Sequence, residues 1–496
     1  MQQAIFKHTP GLHKKEGDEM SERNIPRIMI AGTNSGSGKT TVVCGILAAL
    51  KKRGKKAASC KCGPDYIDPL FHSQIFDVPS KNIDLFFTNQ EYVGYLMAKN
   101  AKDTDITVVE GVMGFYDGMQ MDKTEASSYD VARATDTPVI LVVNCKGMAL
   151  SVIPVIKGFL DFREDHTIKG VILNGVSEMT GKMMTEMIER ELHIKVYGCI
   201  PFLKEFRLES RHLGLVTPYE LENIQKDIDT LGSIIEEKVL LDELIALAEE
   251  TVPLEEKMPD SLENIIKEAA NQIKTGKNEK KLRIAVGWDK AFCFYYKDNL
   301  EFLQEMGCEL IKFSLLSEKN MPPDVDALIL GGGYPEVYAK ELSDNDSMRD
   351  SVRDAIIQGM PCMAECGGFM YLHEQLEDES GQNHSMVGVI KGKAVNRKKP
   401  VRFGYIQLEA NHENGYLEKG EIIKAHEFHY WDSEHNGEDF LAVKPSGKRR
   451  WLCEYAKDNL LAGYPHLYFY SNLRVPLRFL EKCRKYQQYR STIKKV

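Results

Sequence analysis

RIMIAGTNSGSGKTTV, residues 27–42, decides how the first half of this chain folds. A β-rich apolar run enters a loop of glycines and small polar residues and leaves it into a stretch with helical spacing. Glycines such as Gly36 and Gly38 let the backbone wrap closely, so that its N–H groups converge at a helix N-terminus whose dipole favours anions. This is the sequence form of a phosphate-binding loop. Lys39 then reaches the β- and γ-phosphates of a nucleotide, and the Thr40 hydroxyl is placed to ligate Mg²⁺. Gly36, Gly38, Lys39, Thr40 and Thr41 are the expected nucleotide contacts. Five residues separate Gly32 from Gly38, one more than in the common loop.

Outward from that loop, short apolar runs alternate with amphipathic stretches. The strand candidates are 27–32, 57–63, 106–111, 138–145, 170–176 and 196–202, with helical spacing at 40–54 and 180–194. Continuous apolar strands separated by helices predict a parallel sheet covered on both faces. From 219 to 281 Glu, Lys, Leu and Ile recur at helical spacing and end in the polar run KTGKNEKK, read as helices and a linker. The strand–helix pattern resumes at LRIAVGW (282–288), with antiparallel-looking runs near 402–409 and 422–430. The predicted fold is α/β with two doubly wound domains, 26–218 and 282–475. The flanks, 1–25 and 476–496, are expected to be solvated tails, the second of them basic.

Composition narrows the partners. With 43% hydrophobic and 28% charged residues and a net charge of -9, the chain lacks the basic footprint of a nucleic-acid binder. No run approaches the roughly 18 consecutive apolar residues of a membrane helix. The first 25 residues contain no apolar signal-peptide core. Eleven cysteines fall without a zinc or disulfide framework, which fits a reducing compartment and a cytoplasmic location.

Two acidic clusters follow strands of the first domain. KCGPDYIDP (61–69) carries Lys61, Asp65 and Asp68, and VVEGVMGFYDG (108–118) carries Glu110 and Asp117. Strand ends are where ligands sit in an open α/β sheet. Thr40, Asp65 and Glu110 would offer Mg²⁺ hard oxygen ligands. Acids of this kind also solvate loops and cap helices, and both readings stand at this point.

In the second domain PCMAECGGFMYL (361–372) places Cys366 between an apolar run and two glycines. That is a nucleophile elbow, with the helix dipole expected to lower the thiol pKa. LILGGGYPE (328–336) follows a strand, so the N–H groups of Gly332 and Gly333, on toward Tyr334, are candidates for an oxyanion hole.

GTNSGSGKTT, KCGPDYIDP and EGVMGFYDG, in that order, resemble the cobyrinate a,c-diamide synthase family, a branch of the dethiobiotin-synthetase-like P-loop enzymes. The resemblance covers 27–475 and includes the longer loop spacing. It implies roles for Asp65 and Asp68 in binding metal, ATP or substrate, and a Mg²⁺ role for Glu110. Asp117 would handle the intermediate or second amidation, and Tyr66 and Ile67 would lie near nucleotide and substrate. LAGYPHLYFYSN resembles the His segment of class I glutaminases, which makes His466 the base for Cys366. Where many of those enzymes place a Glu two residues after the His, this chain has Tyr468, so the group orienting His466 is unassigned. AHEFHYWDSE (425–434) matches the family's EFHY string at Glu427, His429 and Tyr430, either as a substrate contact or as a shaper of the domain interface.

The resemblance further implies Mg²⁺, ATP, L-glutamine and cobyrinate or a related tetrapyrrole as partners. The metal-free and nickel-containing macrocycles remain alternatives, and a homodimer remains an open assembly. A dethiobiotin-type ligase would not need residues 282–475. A partitioning-type ATPase switch would place a second Lys early in the loop, and none precedes Lys39 within GTNSGSGKT.

Overall fold

The computed structural model describes residues 24–203, 210–211, 214–215, 224–254, 256–274 and 280–493. Most of the expected N-terminal tail, with its basic residues, lies outside that range, as do residues 275–279 of the KTGKNEKK run. Ile25, assigned to that tail, is buried instead.

Seven parallel strands build the first domain: β1 Arg27–Gly32, β2 Ala57–Cys62, β3 Ser80–Ile83, β4 Ile106–Glu110, β5 Val139–Asn144, β6 Ile168–Asn174 and β7 Lys195–Ile200, in the order β3-β2-β4-β1-β5-β6-β7. β1 and β2 are buried along their whole length, as the uninterrupted apolar runs require of strands covered on both faces. Strand order reverses beside β1, so the loop after it opens into the crevice at the sheet's carboxyl edge. Helix α1 (Lys39–Lys52) follows that loop, and α2 (Ile67–Phe76) follows β2. The segment after β7 forms helices Ile224–Lys238, Leu241–Glu249 and Asp260–Lys274. The first lies against α1, where Gly45 and Gly232 permit the close approach.

The second domain centres on a six-stranded sheet. Strands Arg283–Gly287, Glu309–Phe313, Ala327–Leu330, Cys362–Glu365 and Leu460–Gly463 pair in parallel, and Tyr455–Lys457 closes one edge antiparallel. The expected antiparallel runs are Arg402–Ala410 and Ile422–His429, which pair with each other in a five-stranded sheet. That sheet ends on His466–Leu467, with His426 opposite His466.

One expectation is overturned at the C-terminus. Residues Arg474–Ile493 form a 20-residue helix, not a solvated tail. Val475, Leu477, Phe479, Leu480 and Cys483 are buried along one face. The basic residues dominate composition there, but apolar side chains at helical spacing decide the packing. Arg490 adds an ion pair with buried Asp326 at 2.7 Å.

The halves share a hydrophobic core cluster that runs from Ile28 through Tyr66 and Phe294 to Tyr468. Across the seam Phe87 stacks on Tyr468 with ring centroids 4.7 Å apart. Lys81 pairs with Asp298 at 3.1 Å and Glu301 at 2.6 Å, and the Tyr405 hydroxyl donates to Asp84 Oδ2 at 2.6 Å. Among the described residues no helix is long and apolar enough to cross a membrane.

Two stability experiments follow from this packing. Phe479→Ala should destabilise the protein by about 3–5 kcal/mol, the range for a buried Phe, seen as a lower urea midpoint; a solvated tail would leave the midpoint unmoved. Burial pushes the Asp84 carboxyl up to about 6, opposed by the Tyr405 hydroxyl and the N–H groups of Phe86 and Phe87. Because the folded pKa is raised, that contribution to stability is present below pH 4 and is lost as pH rises through 6. Asp84→Asn should remove this slope, gaining about 2 kcal/mol on wild type between pH 4 and 6.5 in parallel urea titrations. An unchanged difference across that window would show that Asp84 titrates normally.

Candidate active site

The loop after β1 places its residues largely as the motif requires. Gly38 has φ 100°, and a Cβ there would lie 2.2 Å from Asn174 Nδ2, the group that donates to Ser37 O. Helix α1 has neither a side-chain cap nor an acid in its first turn, which leaves its leading N–H groups for an anion. Gly36 stands at the exposed crest of the loop, and Thr41 is half-buried at the start of the helix. Lys39 donates to Met113 O at 2.5 Å and Asn34 O at 3.3 Å. Burial, with Lys61 nearby, pushes the Lys39 ammonium down to about 8.

Glu110, at the end of β4 and fully buried, gathers the neighbouring cations. Its Oε1 accepts from Thr40 at 2.6 Å and from Lys61 at 2.8 Å, while Lys61 also pairs with Asp68 at 2.5 Å. Burial works against the Lys61 charge, but Asp68 and Glu110 outweigh it and hold its pKa well above the ordinary value. Burial likewise works against ionised Asp68, and Lys61 reverses it, so Asp68 titrates lower than usual. His72, which the sequence reading missed, sits 3.5 Å from Glu110 Oε2.

Asp65 departs from its assigned place in a trio with Thr40 and Glu110. Its Oδ1 accepts from Ile67 N at 2.8 Å, and burial together with Asp68 pushes its carboxyl well above the usual carboxylate range. Asp117 shapes the adjoining loop, where its Oδ2 accepts from Gly114 N at 2.8 Å. Among the described residues no three His, Cys, Asp or Glu side chains converge as a metal site. A metal with few protein ligands fits better: Thr40 and Glu110 touch, and buried Glu110 Oε2 makes no hydrogen bond. Mg²⁺ takes one or two protein oxygens and completes its shell with phosphate and water.

The second site forms around Cys366, between strand Cys362–Glu365 and the short helix Gly367–Tyr371, at φ 48° and ψ −103°. Such a conformation is strained for a side-chain-bearing residue and is held by its surroundings. Gly332 is the spacer that admits the partner. A Cβ there would lie 2.5 Å from His466 Cε1 and 3.4 Å from Cys366 Cβ. The expected lowering of the thiol pKa is not observed. Burial raises it, Glu336 raises it further, and the opposing N–H of Gly367 is too weak to reverse them. The helix behind the thiol has five residues, so its dipole is small. The resting thiol is therefore neutral and needs a base.

Two further assignments change. Gly332 N–H donates to Phe294 O at 3.2 Å and Tyr334 N–H to Ala291 O at 3.0 Å, so neither is available to an oxyanion. Gly333 N–H makes no backbone bond among the described residues, and it lies 3.0 Å from where a Cβ on Gly367 would be. Gly333 and Gly367 are thus the pair of N–H groups beside the thiol. Glu365 is the acid placed next to the His466 ring, where an orienting group would stand. Its Oε2 lies 3.6 Å from His466 Nδ1, and its Oε1 accepts from Leu467 N at 3.0 Å. The signal was an acid ending an otherwise apolar strand, immediately before the nucleophile. The EFHY residues lie behind this site: His429 bonds Glu427 at 2.8 Å and stacks 3.8 Å from Tyr464.

The two sites meet at Tyr66. Its hydroxyl lies 3.3 Å from His466 Nε2 and its ring 4.7 Å from the imidazole. Tyr66 also lines a cavity of about 530 Å³ between the domains, together with Asp65, Met113, Tyr405 and His426. Met113, whose carbonyl receives Lys39, forms the opposite connection.

A nucleotide-binding α/β domain joined to a glutamine amidotransferase domain defines a glutamine-dependent ligase. Residues 28–216 match the CobQ/CobB/MinD/ParA nucleotide binding domain, and residues 283–473 match the CobB/CobQ-like glutamine amidotransferase domain. The cobyrinate a,c-diamide synthase of Caldanaerobacter subterraneus subsp. tengcongensis is 41% identical over 461 residues, covering 92% of this chain and 98% of that one. Those of Clostridium tetani and Thermoplasma volcanium are 38% and 37% identical, covering 92% and 94% of this chain and 99% of each relative. The chain belongs to the cobyrinate a,c-diamide synthase family.

The Glu365 contact gives a direct experiment. Glu365→Gln should lower glutaminase kcat about 10²-fold by freeing the His466 ring, with ligation from free ammonia unchanged. Equal loss of both activities would show that Glu365 is merely structural.

Proposed function

We propose that the protein amidates the a and c acetate carboxylates of cobyrinate, using ATP and glutamine, in the anaerobic branch of cobalamin synthesis. The observation that carries this reading is the shared cavity wall: Met113 joins it to the phosphate loop, and Tyr66 joins it to His466. A substrate carboxylate in that cavity would receive the γ-phosphoryl group of ATP, releasing ADP and leaving an acyl phosphate. Lys39 and the N–H groups of α1 orient the phosphates and offset their charge. Mg²⁺ held by Thr40 and Glu110 would supply further charge neutralisation there.

At the other site His466 takes the Cys366 thiol proton as sulfur attacks the side-chain amide carbon of glutamine. Gly333 and Gly367 N–H groups stabilise the tetrahedral oxyanion. Collapse breaks the C–N bond, His466 returns the proton to the departing ammonia, and water later hydrolyses the thioester to glutamate and free thiol. Ammonia crossing past Tyr66 attacks the acyl phosphate, forming the amide and releasing phosphate. A second round amidates the other acetate. The buried seam supports this reading, because water would destroy the acyl phosphate and disperse the ammonia.

Hydrogenobyrinate and nickel-sirohydrochlorin are the alternative acceptors. Offered in parallel with ATP, glutamine and Mg²⁺, cobyrinate should gain two amides by mass spectrometry. Cys366→Ser should lose glutamine as donor yet keep free ammonia. Gain on another macrocycle would reassign the substrate, and glutamine-dependent turnover in Cys366→Ser would remove Cys366 from the mechanism.

A further inference from the structure

The acceptor cavity continues into a second cavity that the chemistry above does not use. Strands Phe440–Val443 and Arg450–Cys453 form a hairpin whose turn is closed by Lys444 N to Arg449 O at 3.0 Å. Lys444, Lys448, Arg449 and Arg450 stand on it, facing Arg402 across a cavity of about 650 Å³ that no acidic side chain lines. In a chain of net charge -9 this is a local reversal of sign. Arg402 alone of the five has a carboxylate partner among the described residues, Glu427 at 3.4 Å.

Phe403, Lys444 and Arg449 line both cavities, so the basic lip is continuous with the space beside Asp65 and Tyr66. The shared rim is also apolar. Phe403, 62% exposed, lines both cavities, and Met113, 40% exposed, adds an apolar contact on the acceptor side. Lys444 lies at the junction. It donates to Phe403 O and reaches over the Trp451 ring at 5.9 Å, with Arg402 over the same ring at 5.0 Å. Burial pushes Lys444 down to about 8, with Glu427 opposing and Arg449 adding to the effect, which leaves this cation short of counter-charge.

We propose that this hairpin seats the carboxylate-bearing rim of a flat apolar macrocycle: the ring lies against Phe403 and Tyr405, and carboxylates not undergoing reaction pair with Lys444, Lys448, Arg449 and Arg450. The inference rests on the acceptor reading above and assigns part of that site to the amidotransferase domain. The complementarity is of both kinds, an apolar wall for the ring and a fan of cations for its periphery. Arginine suits this because its fork holds carboxylates bidentately. The geometry also sets specificity: a macrocycle of like shape lacking peripheral carboxylates loses the pairing while keeping the apolar contact.

The experiment uses the full chain and uroporphyrin, a water-soluble octacarboxylate macrocycle, followed by quenching of tryptophan fluorescence, to which Trp451 beside the hairpin contributes. A tetracationic porphyrin of similar size is the control. Lys448→Gln/Arg449→Gln/Arg450→Gln alters exposed side chains only. At the strength typical of exposed ion pairs, loss of three of them should raise the uroporphyrin Kd about tenfold. The Kd should also rise with salt, and the tetracation should not bind. The acceptor KM should rise by a similar factor, with glutaminase kcat and glutamine KM unmoved. An unchanged uroporphyrin Kd in the triple variant, or equal binding of the tetracation by wild type, overturns the proposal. If wild type gains two amides while the variant's acceptor KM stays the same, the hairpin assignment fails and the reaction stands. If the hairpin binds uroporphyrin as described but no macrocycle is amidated, the reaction reading fails and the binding surface stands.

Discussion

Tyr66 belongs to the nucleotide-binding domain, yet its ring packs against the base of the amidotransferase site, and most of the active-site geometry hangs on that contact. The hydroxyl faces His466 Nε2 while Glu365 faces Nδ1, so the imidazole is held from two domains at once. Phe294 and Tyr296 pack on the same ring and belong to the hydrophobic cluster that spans the seam. A buried, water-poor junction of this kind suits the proposed reaction, whose nitrogen donor and acyl donor would both be lost to water. Buried aromatic packing, with Lys81 and Asp84 bonded across the seam, joins the domains through one shared cluster while each keeps a cluster of its own.

Charge burial follows a different logic in each half. In the nucleotide half, Lys61 lies between Asp68 and Glu110, and this pairing keeps all three viable out of water. Removing one partner would strand the others, which ties β2 and the first turn of α2 to the end of β4. Thr40 hangs on the same carboxylate, so the phosphate loop is positioned by the cluster before any nucleotide arrives. In the amidotransferase half the thiol is buried without a cation, and its pKa rises. A thiol held neutral by burial would depend on a neighbouring base, and in the proposed mechanism that base is His466, with Glu365 3.6 Å behind it.

Much of this was legible in the sequence because it is written in local pattern. A glycine-rich turn between a strand and a helix, a cysteine at an elbow, and unbroken apolar strands each depend on residues close in the chain. Lys39, Thr40, Lys61, Asp68 and Glu110 could therefore be singled out, and the structure gathers them. The C-terminal helix was misread because composition outweighed periodicity: its Lys and Arg residues conceal a buried face of Val475, Leu477, Phe479 and Leu480.

Two α/β units, a phosphate loop and a thiol elbow are readable from residue pattern alone, since each arises from short-range sterics and hydrogen bonding. Tertiary structure alone decided how those parts are allocated. Whether Gly332 or Gly333 keeps a free N–H depends on the pairing of Gly332 with Phe294. Whether Asp65 is a ligand or a turn-forming acid depends on the carboxylates buried around it. That Tyr66 meets His466 across 400 residues, or that a basic hairpin opens onto the interdomain cavity, depends on the docking of two domains. Docking is the sum of many weak contacts between distant segments, and no window of sequence contains both sides of it.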